Sequence, residues 1–225
     1  MNIIIAGLTG AGKTTHSTYL CNQLGFNLVC GSKIRSDFIN KINTRSDKNY
    51  WLYSEEAINE DFKRLHQSSV VDERTNSLLT ELVKKNQNQV FDVWFLPWHD
   101  NQSKSLKIWL DCPLNVRVQR IARELKTQKE NINVLLNNIN EKDVRSQLYG
   151  IKEFGVDIFK DRKPFQVILT FTEEVEFKYI NLILLTIVEN YLKINNKIVI
   201  TNHTIKTIAS NVITKCPPEL FPIWI

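Results

Sequence analysis

The stretch IIIAGLTGAGKTTHSTYL, residues Ile3 to Leu20, decides the fold of this chain. It begins with three consecutive β-branched residues, which predict a strand buried on both faces, as in a parallel sheet. The glycines that follow have the spacing G-x-x-x-x-G-K-[ST], in which successive backbone N–H groups turn inward around a phosphate. Lys13 adds a mobile positive charge, and the Thr14 hydroxyl is a hard oxygen ligand for Mg²⁺. The residues from Thr14 to Leu24 predict a helix whose N-terminus faces the same phosphates.

This order of strand, glycine-rich loop and helix is typical of a P-loop. The predicted ATP-binding residues are Gly7, Thr9, Gly10, Ala11, Gly12, Lys13, Thr14 and Thr15. A chance glycine-rich turn is the alternative, which the sequence disfavours because all three elements occur in the required order. We therefore expect ATP and Mg²⁺ as ligands.

Composition and charge are typical of a soluble enzyme. The 225 residues are enough for one good core, and the net charge of +5 is modest and spread out. The four cysteines form no C-x-x-C pair and follow no signal peptide, so we expect reduced thiols in a cytoplasmic protein. The most apolar later stretch, YINLILLTIVENYL, is interrupted by polar residues and predicts a buried helix rather than a membrane span.

Strands and helices alternate along the rest of the chain. Further strands are predicted at Phe26–Cys30, Gln89–Phe95, Leu106–Asp111 and Phe165–Phe171. Helices are predicted between them, including one that begins at Ser54. This alternation predicts a three-layer α/β fold with a five-stranded parallel sheet covered on both faces. Residues 193–225 differ in composition; we expect them to pack on the main body, with a short strand such as KIVIT.

Three segments resemble the cytidylate kinase branch of the nucleoside monophosphate kinases, especially its archaeal-type members. They are GLTGAGKTT in the P-loop, CGSKIR after the second strand and LKIWLDCPLNVRVQRIARE around the fourth strand. The later stretch FGVDIFKD is similar to the segment before the fifth strand in that family. The resemblance covers residues 1–192 and implies a P-loop kinase domain with an acceptor-binding arm at about 31–88 and a helical lid at about 113–150. It assigns no role to residues 193–225.

The resemblance also implies that arginines of the lid close over ATP. Arg117, Arg120 and Arg123 recur every three residues, so they lie on neighbouring helical positions that can form a cationic face. Phosphoryl transfer depends mostly on positioning and charge neutralisation, which such a face supplies. The alternative is a solvated basic helix face. Arg117 and Arg120 are, with Lys13, the stronger candidates for catalysis.

Asp92 is the predicted acid of the site. It lies in an otherwise apolar strand, where a carboxylate is costly unless it is paired, hydrogen-bonded or near a metal. The third strand of a P-loop kinase is where an acid meets the acceptor hydroxyl or a magnesium-bound water. We therefore predict a catalytic role for Asp92 and a metal site formed by Thr14 and Asp92.

The acceptor side is predicted from the resemblance. Arg35 matches the arginine that grips the monophosphate in the resembled kinases, and Lys33 is its neighbour. Asp72 and Arg74 loosely match positions that border the acceptor pocket. Ordinary surface charges are the alternative for all four residues. Trp94 stands where this type of cytidylate kinase carries an arginine, so one phosphate contact is missing from its usual place.

Other aromatic residues follow Trp94 closely. Trp94 and Trp98 could stack on a planar acceptor or wall off an apolar one, although packing is the commoner role of tryptophans near a sheet edge. His99 lies in a predicted loop, where we expect an exposed side chain.

The sequence thus predicts an ATP-dependent kinase that acts on a small acceptor, with a nucleoside monophosphate such as CMP or dCMP as the leading class. A divergent kinase of another small metabolite is the close alternative. A non-catalytic nucleotide-binding regulator would not need the arginine set. A nucleic-acid end kinase would show a concentrated basic track, which the dispersed charge does not form. We expect a monomer or homodimer with no nucleic-acid or membrane partner.

Overall fold

Five parallel strands form the centre of the fold. The structure, a computed structural model, describes residues 1–40, 69–101, 103–126, 131–171, 175–192 and 212–215. The parallel strands are β1 Ile3–Gly7, β2 Asn27–Cys30, β3 Gln89–Asp92, β4 Leu106–Asp111 and β5 Val167–Phe171. They lie side by side in the order β2-β3-β1-β4-β5. The predicted α/β fold with a five-stranded parallel sheet is confirmed.

Helices pack against this sheet. Their bounds are α1 Lys13–Leu24, α2 Gly31–Asn40, α3 Ser69–Lys85, α4 Leu96–His99, α5 Leu114–Glu124, α6 Ile132–Phe154 and α7 Phe177–Leu192. Helix α7 contains the apolar stretch of the sequence, and it buries Ile180, Ile183 and Leu184 as predicted. In the described ranges no helix combines the length and hydropathy needed to cross a bilayer. The helix predicted from Ser54 lies outside the described residues.

Strand β1 shows why the sheet is covered on both faces. All of its residues are buried, and its three isoleucines alternate between two apolar clusters. Ile3 and Ile5 pack in the cluster that contains α7, whereas Ile4 packs with Phe91 and Leu79 on the opposite face. Consecutive β-branched residues suit such a strand because neither face meets water.

A sixth strand, β6 Val212–Lys215, extends the sheet beyond β5. It runs antiparallel to β5, with Ile168 opposite Lys215 and Phe171 opposite Val212. Part of the region 193–225 therefore continues the main sheet. The strand predicted at KIVIT, residues 197–201, lies outside the described residues.

Strand β3 is shorter than predicted. We predicted a strand through Phe95, but the regular strand ends at Asp92. The Val93 N–H still donates to the Ile5 carbonyl at 3.1 Å, after which the short helix α4 begins with a proline in its first turn. Proline has a fixed φ and no N–H, so it cannot continue the ladder. The chain therefore leaves the sheet with Trp94 at its carboxyl edge.

The carboxyl ends of the central strands converge on one edge of the sheet. Asp92 lies in register with Ile5 of β1 on one side and with Cys30 of β2 on the other. The P-loop follows β1 directly, and α2 follows β2. Ligands of open parallel sheets bind at this edge, which is where the predicted site residues gather.

Candidate active site

The loop between β1 and α1 has the backbone conformation that a phosphate-binding loop requires. Gly10 and Gly12 have φ values of 78° and 92°, a region that favours glycine. The Lys13 ammonium folds back over the loop and donates to the carbonyls of Gly7 at 2.8 Å and Leu8 at 3.0 Å. The Lys13 side chain therefore lies against the loop that precedes α1.

The remaining predicted loop residues differ in exposure. Thr9 and Ala11 are buried, whereas Thr14 and Thr15 are exposed at the start of α1. Exposed hydroxyls and N–H groups at a helix N-terminus are able to bind an anion. The buried pair fixes the loop against the body of the protein.

Lys13 lies in a field of opposite charges. Burial lowers the pKa of Lys13, and the nearby carboxylates of Asp92 and Asp143 counteract that shift. Its ammonium also lies 5.1 Å from the centre of the Trp94 ring. A partly desolvated ammonium interacts strongly with any phosphate that enters the site.

Asp92 and Thr14 form the contact that joins β3 to the P-loop. The Thr14 hydroxyl donates to Asp92 Oδ2 at 2.5 Å, and the Cys30 thiol lies 3.7 Å from the same oxygen. Asp92 is only 5% exposed, so its carboxylate is compensated by these donors and by Lys13. The structure therefore brings together the two residues predicted to bind metal.

These two oxygens fit Mg²⁺. Magnesium is usually bound by one or two protein oxygens together with phosphate oxygens and water. Among the described residues, no cluster of three His, Cys, Asp or Glu side chains is present that could hold a metal alone. A magnesium ion at Thr14 and Asp92 would accordingly be bound together with a nucleotide.

Arg117 lies beneath the P-loop, where it is held on several sides. It donates to the Thr9 carbonyl at 2.7 Å, to the Cys112 carbonyl at 2.9 Å and to Asp143 at 2.5 Å. Asp143 in turn accepts from the Thr9 N–H at 3.2 Å. Both side chains of the ion pair are at most 5% exposed. Arg117 thus links Thr9 of the P-loop to Asp143 of α6.

Sequence reasoning missed Asp143. The residue lies on α6 at the same helical spacing as Leu135 and Ile139, both of which are buried. A carboxylate on the apolar stripe of a helix is a signal for a buried partner, since residues four apart share one face. The partner, Arg117, could not be identified from that spacing.

Arg120 and Arg123 line a cavity next to Phe177. Arg120 is buried, lies 5.0 Å from the centre of the Phe177 ring and points Nη2 at the Val175 carbonyl at 3.4 Å. The cavity has a volume of about 280 Å³ and is lined by Arg120, Arg123, Val175, Glu176 and Phe177. A solvated basic face is excluded for Arg117 and Arg120, because both are buried; Arg123 is exposed.

His16 is a buried residue of the P-loop helix that sequence reasoning did not single out. Its Nδ1 donates to Asn181 Oδ1 at 2.6 Å, and its ring meets Phe177 edge-on at 5.2 Å. In the described part of the chain, its buried Nε2 has no hydrogen-bond partner. Burial lowers the pKa of His16 to about 4, so the ring is neutral at physiological pH.

The acceptor side is organised around an ion pair. Arg35 Nε donates to Asp72 Oδ1 at 2.7 Å, and the Asp72 side chain is 9% exposed. Burial and the Asp72 carboxylate raise the pKa of Tyr149, which keeps its hydroxyl protonated. Lys33 and Arg74 have exposed side chains on α2 and α3.

Aromatic contacts connect Lys13 to Tyr149. Trp94 lies 6.2 Å from Phe95, and Phe95 lies 5.7 Å from Tyr149, measured between ring centres. Together with the contact between Lys13 and Trp94, these rings form a continuous series along the carboxyl edge. The predicted position of Trp94 near the acceptor side is therefore consistent with its surroundings.

Trp98 has the packing role that the sequence analysis gave as the commoner one, whereas His99 is not exposed as we expected. Trp98 meets Trp109 and Phe165 edge-on at 6.0 and 5.2 Å, so it belongs to an apolar cluster with those residues. His99 meets Phe154 edge-on at 4.4 Å and is half-buried rather than exposed. Both follow from α4, which replaces the expected loop and turns the side chains inward.

Comparisons with known proteins agree with this geometry. The sequence profile of the AAA domain family matches residues 3–145. The cytidylate kinase of Natronomonas pharaonis is 24% identical over 75% of this chain and 80% of the relative. The cytidylate kinase of Saccharolobus islandicus is 24% identical over 83% of this chain and 89% of the relative. An uncharacterized protein from Eubacterium ventriosum has a similar fold, with a TM-score of 0.50 and 11% identity over 75% of this chain and 86% of that protein. The predicted resemblance to cytidylate kinases is confirmed.

His16 should make stability depend on pH. Its pKa is lowered from 6.5 to about 4, so the unfolded chain binds the proton more tightly than the folded one. The stability from the neutral ring is present above pH 6.5 and is lost as the pH falls toward 4. Between pH 7 and pH 5 we expect wild type to lose about 2 kcal/mol more unfolding free energy than His16→Gln in urea titrations. Equal losses would contradict a buried neutral His16.

The ion pair beneath the P-loop should be important for stability. Asp143→Ala leaves Arg117 buried without its carboxylate, which typically costs about 3–5 kcal/mol. Glu141→Ala is the matched control on the same helix: it removes an exposed ion pair with Arg145, worth about 0–1 kcal/mol. Urea unfolding of both variants measures the difference. Similar losses would mean that the carbonyl partners alone satisfy Arg117.

Proposed function

Because this chain belongs to the AAA domain family, we propose that it is an ATP-dependent phosphotransferase that moves the γ-phosphoryl group to a small acceptor. The observation that carries the proposal is the contact between Thr14 and Asp92 at the edge where the P-loop presents Lys13. A hydroxyl and a carboxylate are hydrogen-bonded to each other, and the Lys13 ammonium interacts electrostatically with the same carboxylate. Phosphoryl transfer needs little more than positioning and charge neutralisation from a protein.

The donor site is proposed as follows. The loop N–H groups and Lys13 bind the phosphates of ATP, with Gly10 and Gly12 allowing the backbone to approach them closely. The cavity beside Arg120 and Phe177 accepts the base. Thr14 and Asp92 hold magnesium, which when bound neutralises phosphate charge and orients the γ-phosphoryl group.

The lid arginines act mainly by holding the donor site together. Arg117 fixes the Thr9 end of the loop, and Arg120 lies between the loop and the Phe177 side of the cavity. Arg120 lines the cavity, whereas Arg117 is held by Asp143 and two carbonyls, so Arg120 is the better candidate for a direct phosphate contact. We assign the acceptor arm to residues 31–88 and the lid to residues 113–150 of a kinase domain spanning 1–192.

The acceptor site lies along the carboxyl edge of β2 and β3. Arg35, Asp72 and Trp94 border it, with the exposed Lys33 and Arg74 farther out on α2 and α3. The similarity to cytidylate kinases supports a nucleoside monophosphate such as CMP or dCMP. A different small molecule with a hydroxyl group is the second candidate. It is favoured by one observation: the phosphate-gripping arginine of the resemblance is already paired with Asp72.

Lys13→Ala should abolish most phosphoryl transfer. The ammonium neutralises charge that grows in the transition state, so its loss should lower turnover by at least about 10²-fold. Lys84→Ala removes the same charge from an exposed position in the last turn of α3 and should have little effect. ATP consumption with a panel of acceptors measures both. A folded Lys13→Ala protein with wild-type turnover would refute the proposal.

Asp92→Asn should separate catalysis from folding. It keeps the size of the side chain and deletes the charge of a group that is 5% exposed. We expect lower turnover, a higher Mg²⁺ requirement if the carboxylate supports the metal, and a folded protein, because the amide oxygen can still accept the hydrogen bond from Thr14. Turnover as a function of Mg²⁺ concentration, together with thermal unfolding, checks this. An unstable variant with normal specific activity would make Asp92 a structural residue.

A further inference from the structure

We propose that Cys30 is a positioning residue for Asp92. Its thiol donates to the same carboxylate oxygen as the Thr14 hydroxyl and thereby fixes the orientation of the acid that supports magnesium. The inference rests on the proposed function, because it concerns the carboxylate of the same site. It gives a role to a residue that the sequence analysis did not select as a candidate.

The sheet places Cys30 beside Asp92. Cys30 is the last residue of β2 and lies in register with Asp92, the last residue of β3. Neighbouring strands are about 4.8 Å apart, so register partners that share a face of the sheet come into contact. The sulfur, whose S–H group is a weak donor, lies 3.7 Å from Asp92 Oδ2. The contact therefore follows from strand pairing.

The chain that follows Cys30 is also packed closely against β3. Gly31 is buried at the start of α2, and a Cβ added there would lie 3.3 Å from Val93 Cγ1 and 3.4 Å from the Asp92 carbonyl oxygen. Even a methyl group at this position would require its neighbours to shift. Cys30 is thus held next to the carboxylate by the residue that follows it as well as by its strand.

Ser32 gives the sulfur a hydrogen-bond partner of its own. Its hydroxyl oxygen lies 3.2 Å from the Cys30 sulfur, and the residue is exposed in the first turn of α2. A carboxylate only accepts hydrogen bonds, so the thiol hydrogen goes to Asp92 and the sulfur accepts from Ser32. The donors therefore form a series from Ser32 through Cys30 to Asp92.

The thiol differs from Thr14 in being part of the sheet. Thr14 is exposed at the start of α1, and its oxygen is itself proposed to bind magnesium together with a nucleotide. Cys30 has no such second task. A carboxylate oxygen that accepts from two sides loses rotational freedom before the ligand arrives, so less freedom has to be lost on binding. Cys30 accordingly keeps Asp92 oriented whether or not the loop has bound its ligand.

Mn²⁺ binding tests the inference without turnover. The full chain is loaded with ADP, and free Mn²⁺ is measured by electron paramagnetic resonance during a titration. Cys30→Ala removes the donor, so the Kd for Mn²⁺ should rise by about threefold or more. Cys30→Ser keeps a donor and should lie closer to wild type. A wild-type Kd in folded Cys30→Ala would overturn the inference, and so would equal weakening in the two variants.

Cys21→Ala is the matched control. It makes the same substitution at a buried cysteine of α1, which packs in the apolar cluster with Ile3 and Leu20. Lost packing should lower the unfolding free energy of this variant in urea, while the Kd for Mn²⁺ stays unchanged. If Cys21→Ala weakened Mn²⁺ binding as much as Cys30→Ala, the effect at Cys30 would be a general loss of structure and the inference would fail.

The series of donors makes a separate prediction for Ser32. Ser32→Ala should raise the Kd for Mn²⁺ by a smaller factor than Cys30→Ala, because it removes only the outer hydrogen bond. In a Cys30→Ala background the same change should have no further effect. Ser36→Ala, about one turn farther along α2, is the control and should match wild type. Fully additive effects of Ser32→Ala and Cys30→Ala would contradict the series.

Turnover separates this inference from the proposed function. With ATP and a panel of acceptors, Cys30→Ala should raise the Mg²⁺ concentration at half-maximal rate, with a smaller change in kcat at saturating Mg²⁺. If Lys13→Ala abolishes transfer while Cys30→Ala keeps the wild-type Mg²⁺ requirement, the kinase assignment holds and only the role of Cys30 fails. If Lys13→Ala loses no activity, the proposed function fails whatever the Mn²⁺ titration shows.

Discussion

The hydrogen bond between the Thr14 hydroxyl and the buried Asp92 carboxylate is the contact on which the site depends. A carboxylate at the end of a central strand is unfavourable without compensation, and here the compensation comes from the first turn of α1 and from Lys13. The same bond fixes the distance between the strand that ends at Asp92 and the loop that follows β1. The chemistry of this P-loop kinase is therefore organised by the requirement to neutralise one buried charge.

Charge pairing recurs throughout the site. Arg117 is matched by Asp143 beneath the loop, and Arg35 is matched by Asp72 at the acceptor side. Lys13 is different, because it interacts with two carboxylates but donates to backbone carbonyls, which a phosphate can replace. The Lys13 ammonium can therefore turn from these carbonyls to an incoming phosphate without breaking a side-chain ion pair.

The sequence was sufficient for features that depend on neighbouring residues. The strand at Ile3–Gly7, the loop and the helix α1 could be predicted because their signals lie within one continuous segment. The partners of Thr9 and Arg117 could not, since the Thr9 N–H bonds to a residue 134 positions away. The end of β3 was also predicted wrongly. The apolar residues Trp94 and Phe95 favour a strand, but the chain turns instead into a short helix that has Pro97 in its first turn. The sequence likewise could not predict that Arg117 is paired with Asp143, because that contact depends on how α6 packs.

Helix α6 connects the donor and acceptor sides. The Asp143 carboxylate accepts from the Thr9 N–H of the P-loop, and Tyr149, six residues or about 9 Å farther along the helix, lies close enough to Asp72 for that carboxylate to raise the pKa of Tyr149. Close packing makes this connection stiff, because a Cβ on Gly150 would come within 2.9 Å of the Phe95 ring. A shift of α6 that moves the loop must therefore also move the Tyr149 ring that packs on Phe95. Since one helix carries both Asp143 and Tyr149, the geometry of the P-loop and the aromatic packing beside Trp94 change together.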